Sequence, residues 1–280
     1  MKILAIGLLI LMIMGGQLNA DNHSETKNKI TLKLDGTSEV SVKGFIAPIG
    51  DVVSDPHFKQ WDTLMNLRVA EPEKRYLASV FRAFLPDKPI SVGELWQIEE
   101  EGALELLRQL HPNPSLRMHI NAGDSYGLWA CLRAYNDEFA DIVFRIHAEF
   151  VLEDGWFTPS QFAGHLVINR VKEKVVFFKM SVPEGPVNFD VNWKTSLGRI
   201  TAMGFCSQIE LRAGTPDFLR DGEFVESITQ EVAERALILK FYKSLQINWI
   251  PPAQALGVAR AQQKPIHAIS IDGPLLDESC

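Results

Sequence analysis

The chain of 280 residues is 46% hydrophobic and 22% charged, a balance that excludes a disordered, collagenous or coiled-coil protein. Its 28 basic and 35 acidic residues leave a net charge of −7, so no overall basic field exists to hold nucleic acid. Three cysteines, Cys131, Cys206 and Cys280, are too few and too scattered for a disulfide framework or a four-thiolate zinc site.

At the amino terminus, Lys2 precedes an apolar run from Ile3 to Met14, and small and polar residues follow as far as Ala20. This pattern predicts a secretory signal peptide over residues 1–20. The run is shorter than the ~20 residues of a usual membrane span. Only its extension through Gly15 and Gly16 into an uncleaved anchor would associate the chain with a membrane. The mature protein is therefore expected outside the cytoplasm. Residues 21–43, rich in Asn, Ser, Thr and Lys, read as a polar tether in which Ile30, Leu32 and Leu34 form one weak alternating patch, an edge-strand candidate. From about Glu71 the pattern turns helical through Tyr76 to Phe84. A second helix is predicted from Ser91, an N-cap with Glu94 three residues on, through to Leu110. His111-Pro112-Asn113-Pro114 stops it, because proline biases the residue before it away from helical geometry.

Between about Asp141 and Arg212 the period changes to two. Ile142, Phe144, Ile146, Ala148, Phe150 and Leu152 form one face while Arg145, His147 and Glu149 alternate on the other. Similar runs follow at 162–168, 175–182, 187–193 and 205–211. Connections as short as Glu153-Asp154-Gly155 favour antiparallel neighbours, since parallel strands need a longer crossover. The fold class expected is α+β: an antiparallel β-rich core over residues 44–245, with flanking helices. The last of these is a long amphipathic helix over 223–245. Past Trp249-Ile250-Pro251-Pro252 come a short helix over 253–263, an apolar strand over 266–271 and a loop reaching Ser279-Cys280. That is the order in which a thioredoxin-like lobe reaches its redox motif, so residues 246–280 read as the start of such a lobe, truncated after its first strand.

Arg145, His147 and Glu149, with His165 on the following strand, have the residue types for acid-base work. The same residues also suit a structural salt-bridge ladder on a half-covered sheet. A zinc site from His147, Glu149 and His165 has suitable ligands but no helical or turn spacing to fix them. Cys131 and Cys206 are open between a disulfide and two buried thiols. No Gly-rich phosphate loop, Gly-x-Ser-x-Gly elbow or His-Glu-x-x-His pattern is present, which lowers nucleotide-dependent enzymes and common hydrolases.

Several stretches resemble the selenoprotein N family. Phe144-Arg145-Ile146-His147-Ala148-Glu149-Phe150 matches a heptad of that family, followed at similar spacing by Trp156-Phe157, Pro159, Gln161-Phe162 and Gly164-His165. His111-Pro112, Pro114 and Ala130-Cys131-Leu132 match upstream. Lys264, His267, Gly273, Leu275, Asp277, Ser279 and Cys280 match downstream. Together these cover roughly residues 105 to 280, and seven consecutive residues of mixed chemistry are far more specific than a lone short motif. The resemblance implies a thiol or selenol oxidoreductase in which Ser279-Cys280 is followed by selenocysteine, encoded by UGA, and the chain reads as a translation ended at that codon. Cys280 is then the catalytic thiol, beside Ser279, and the partner is a protein thiol or disulfide client. Apart from that selenocysteine no cofactor is expected. Here Asp277, Glu278 and a terminal carboxylate surround Cys280 and disfavour its thiolate. No EF-hand loop of the Asp-x-Asp-x-Asp-Gly kind occurs, so a calcium role gains no support. The compartment implied is a periplasm or cell exterior if the protein is bacterial, and the endoplasmic reticulum if it is eukaryotic. The rival reading is a non-catalytic protein-binding module built on the β-rich core.

Overall fold

A computed structural model of the protein describes residues 28–49, 61–116, 127–185, 187–196, 198–216, 224–241 and 250–268. The signal segment and the Ser279-Cys280 pair lie outside the described residues. Two antiparallel sheets enclose one hydrophobic core. The larger sheet has nine strands. In chain order these are β1 (Glu39–Ile46), β2 (Glu73–Leu77), β3 (Leu95–Gln97), β5 (Leu128–Tyr135), β6 (Phe139–Ile146), β9 (Phe162–Asn169), β10 (Lys174–Ser181), β13 (Ile209–Gly214) and β14 (Glu226–Ser227). Their spatial order is β14-β5-β6-β9-β10-β13-β1-β2, with β3 also paired to β5. The smaller sheet runs β12-β11-β8-β7-β4, from β4 (Pro114–Ser115), β7 (Glu149–Leu152), β8 (Gly155–Pro159), β11 (Phe189–Thr195) and β12 (Gly198–Gly204). The antiparallel α+β architecture expected from period-two alternation is the one observed.

Alternation explains which side of each sheet is buried. Phe144, Phe178, Leu166 and Leu211 point inward from the larger sheet, and Phe150, Phe157, Phe189 and Val191 from the smaller. Phe150 meets Phe162 edge-to-face at 6.5 Å, joining the two layers. A 3₁₀ segment, Ala78–Phe84, lays Phe81 and Phe84 onto the inner face of the larger sheet, 5.1 Å from Phe178 and 4.8 Å from Phe144. Helix α2 (Glu100–Leu110) follows, after a single short helical turn, α1 (Asp62–Met65), earlier in the chain. It buries Ala103, Leu106, Leu107 and Leu110 at helical spacing, has Glu100 and Glu101 in its first turn and Arg108 in its last, and so suits the helix dipole. Its buried Gln109 donates through Nε2 to the carbonyls of Val42 at 2.9 Å and Glu71 at 3.1 Å while accepting from the Tyr76 hydroxyl. That leaves no cost from an unpaired buried amide.

Three expectations change. Residues 28–43 are not a tether over the part described: Ile30, Leu32 and Leu34 are buried, Ile30 bridges to Ile90, and β1 begins at Glu39 between β13 and β2. Their polarity is that of a strand with one face in the core. The helix expected around Tyr76 is strand β2 followed by the 3₁₀ segment, because pairing with β1 outweighs local helical spacing. At Ser91, the Glu94 carboxylate does accept from the Ser91 backbone N–H at 3.3 Å. The chain nevertheless enters β3, and the helix starts only at Glu100.

Helix α3 (Gln230–Phe241) lies on the outer face of the larger sheet, where Ala233 and Leu237 cover Cys131 and Val143. Helix α4 (Pro252–Gln262) starts with proline in its first turn and buries none of its residues. Residues 266–268, the described start of the expected 266–271 strand, have no regular structure and stay exposed. Among the described residues no helix is long and apolar enough to cross a membrane.

Candidate functional site

The alternating run that carries Arg145, His147 and Glu149 is not one strand. β6 ends at Ile146 in the larger sheet and β7 begins at Glu149 in the smaller, so the chain changes sheets across His147-Ala148. Ile146, Ala148 and Phe150 keep their place in the core throughout. The opposite side is covered as well: Arg145 is 7% exposed and His147 is fully buried. The salt-bridge ladder on a half-covered sheet expected from the sequence is therefore a buried polar seam at the crossover. Gln161 accepts from Arg145 Nε through its Oε1 at 2.8 Å, and the His147 backbone N–H donates to the Gly127 carbonyl at 2.8 Å.

His165 sits elsewhere, on β9 in the larger sheet, opposite Val143 and one step diagonally from Arg145. It approaches Asp141 with Nδ1 at 3.4 Å from Oδ1, and the Arg133 guanidinium pairs with the other oxygen of the same carboxylate. Asp141 is fully buried, and this arrangement satisfies it from both sides. An imidazole fixed by a carboxylate is a competent proton carrier in principle. Arg145 and His165 share a sheet face, whereas Glu149 belongs to the other sheet. Among the described residues no group of three His, Cys, Asp or Glu side chains is placed to hold a metal ion, so the zinc arrangement of His147, Glu149 and His165 gains no support.

One group escaped the sequence reading as a site. Asp190 on β11 lies opposite Thr158 and Met203, and Asn192 Nδ2 donates to its Oδ1 at 3.1 Å. Thr201 in turn donates to Asn192 at 2.6 Å. Burial above all, helped by the nearby charge of Glu149 and opposed by the bonds from Thr158 and Asn192, pushes the Asp190 carboxyl up to about 7. The signal in the sequence was only an acid within the Asn188-Phe189-Asp190-Val191-Asn192 alternation, with nothing to say that its face is covered. Asn188 in the same run has a structural task. It donates to the Cys206 carbonyl and accepts from the Cys206 N–H, both at 2.8 Å.

Cys131 and Cys206 are both free and buried. Burial pushes the Cys131 thiol up to about 11 and raises that of Cys206 as well. Both shifts disfavour the thiolate, the form to which cysteine reactivity belongs. These features define an antiparallel α+β protein of two sheets, with a buried polar seam between them and no accessible thiol among the described residues.

No family model and no solved structure matches the chain. Curated proteins do match. The chain is 30% identical over 273 residues to selenoprotein N of Danio rerio, covering 76% of this chain and 48% of that protein. Against selenoprotein N of Mus musculus the identity is 27% over 281 residues, with 79% and 49% covered. For that of Homo sapiens it is 26% over 270 residues, with 75% and 45% covered. The chain is thus a relative of selenoprotein N, as its heptad and flanking matches led one to expect, and it spans about half the length of the curated relatives it matches.

Proposed function

We propose that the chain belongs to a selenoprotein N-like thiol or selenol oxidoreductase of an extracytoplasmic compartment, with Cys280 and a selenocysteine directly after it as the redox pair. The observation that carries this reading is the relationship to selenoprotein N, taken with the likeness of Ser279-Cys280 to that family's redox motif. The state of the other cysteines supports it. Cys131 lies beneath helix α3 and Cys206 is held against the Ala47 and Gln208 carbonyls, so neither can meet a client disulfide. In this reading residues 246–280 open a thioredoxin-like lobe, and the β-rich core serves as its platform.

The exchange is a two-electron transfer through a mixed disulfide or selenenylsulfide. One member of the reduced pair bonds to a client sulfur and expels the first client thiolate. The other member then displaces the second client thiolate, leaving the pair joined by a bond and the client disulfide reduced. Cys280 is one of the two. His147, sealed in the crossover, acts on stability rather than on exchange.

The test is a protein extended past Cys280 with a Cys-Gly continuation and the remainder of the lobe, assayed for reduction of insulin and of glutathione disulfide. Activity lost on Cys280→Ser and kept in a folded His147→Ala variant is the expected result. Activity that survives Cys280→Ser and disappears in a folded His147→Ala variant would transfer the site to the sheets. At the gene, the reading requires an in-frame UGA directly after the Cys280 codon, followed by a glycine codon.

A further inference from the structure

The outer face of the larger sheet carries a row of basic side chains that pairing alone does not explain. In the observed register His165 on β9 is opposite Lys179 on β10, Lys179 is opposite Arg212 on β13, and Arg212 is opposite Lys43 on β1. Like charges set directly across neighbouring strands destabilise a sheet. The carboxylate that pairs with the middle of the row is Glu210: mostly buried, it lies 3.6 Å from Lys179 and 3.7 Å from Arg212. Lys43 makes no ion pair among the described residues; Glu73, opposite it on β2, instead accepts from the Ser41 hydroxyl at 2.8 Å. Three cations against two acids, Glu210 and Glu73, leave the row with an excess of one positive charge, on a chain whose net charge is −7.

The row lines a concavity. A groove of about 660 Å³ is lined by Lys43, Lys179, Arg212, Ser41 and Gly214 and also by the carboxylate of Glu210. This is within the size range of small-molecule sites, roughly 300–1,000 Å³. Gly214 has φ +71°, and a Cβ there would collide with the Val176 carbonyl, so this lining position requires glycine. Strands lie about 4.8 Å apart, which places the backbones under Lys179 and Lys43 about 10 Å from one another with Arg212 midway. An anion with charge distributed along that line can meet all three cations. The guanidinium supplies a two-pronged donor that fits phosphate oxygens, and Pro216, exposed at the rim of the groove, offers apolar surface to an organic group.

We propose that this groove binds an organic polyphosphate, the ligand's linked phosphates lying along the Lys179–Arg212–Lys43 row. The inference is independent of the redox reading, since it concerns a different face and no cysteine. The experiment measures binding of ATP and of tripolyphosphate to the full chain by calorimetry at low and moderate salt. Saturable one-to-one binding is expected, weakening as salt rises and falling about tenfold or more in Lys179→Gln/Arg212→Gln. The equal loss of charge in Lys172→Gln/Lys264→Gln, away from the groove, should leave affinity within about twofold. The singly substituted Lys43→Gln, at an exposed side chain, provides an intermediate loss that does not depend on the double variant folding. Absence of saturable binding at millimolar ATP and tripolyphosphate, equal losses in the groove and control variants, or capture of hexaglutamate in preference to either phosphate would overturn the proposal.

Discussion

Replacing Asp190 by asparagine tests whether the smaller sheet holds a carboxyl group that resists ionisation. The ordinary value for such a group is 3.8, and in the fold it rises to about 7. An acid whose folded value lies above its unfolded value contributes stability that is fully present below the unfolded value. That contribution is lost as pH rises through the folded value, because the unfolded chain releases the proton first. The window is therefore pH 3.8 to about 7, and at ~1.4 kcal/mol per pH unit the change across it is ~4 kcal/mol as an upper bound. Asparagine keeps an oxygen to accept from Asn192 and has no charge to desolvate. Urea unfolding of both proteins between pH 4 and pH 9 supplies the measurement. The asparagine variant should match the parent near pH 4, exceed it by ~2–4 kcal/mol at pH 8, and show a flatter profile between. Parallel profiles over the whole range would show that Asp190 ionises normally and that the burial argument is wrong.

Other expectations follow from packing and burial. A Cβ at Gly164 would overlap the Phe144 ring and come 2.7 Å from the Lys179 carbonyl, so Gly164→Ala should destabilise by ~1–3 kcal/mol in denaturant titration. Phe144 itself touches Phe84 and Phe178, and Phe144→Ala should cost about 3–5 kcal/mol on the same assay. In thiol titration of the native chain at pH 8, Cys131 and Cys206 should stay unreactive until denaturant is added. Fast modification of either would contradict its burial.

The β-rich part of the fold was legible wherever one face of a strand is buried and the other is polar. The runs expected at 162–168 and 175–182 fall on β9 and β10, although their burial alternates only in part. β5 left no such trace. Leu128, Ala130 and Leu132 enter the core while Cys131, between them, is covered by α3, so both faces are apolar and the period vanishes. β2 was read as helix because Tyr76, Phe81 and Phe84 have near-helical spacing, and nothing local announces its pairing with β1. The functional residues were legible to different degrees. The heptad around His147 spans the crossover between the sheets, and its strand-like alternation concealed that change of sheet. Arg145 and His165 share a face as their spacing allowed, whereas Asp141 between Arg133 and His165 could be recognised only once the register was known. Asp190 and the Lys43–Arg212–Lys179 row depend on contacts between distant strands, which no local pattern encodes.

The crossover at His147-Ala148 also bears on how the molecule comes apart. Two residues span at most about 7 Å, so β6, near the middle of one sheet, and β7, inside the other, are held by a link with no slack. Peeling β7 from β8 drags on Ile146 and Ala148, which are anchored in the same core as Phe144 and Phe150. The sheets therefore share one unfolding transition, and amide protons on β6 and β8 should exchange with the same opening free energy.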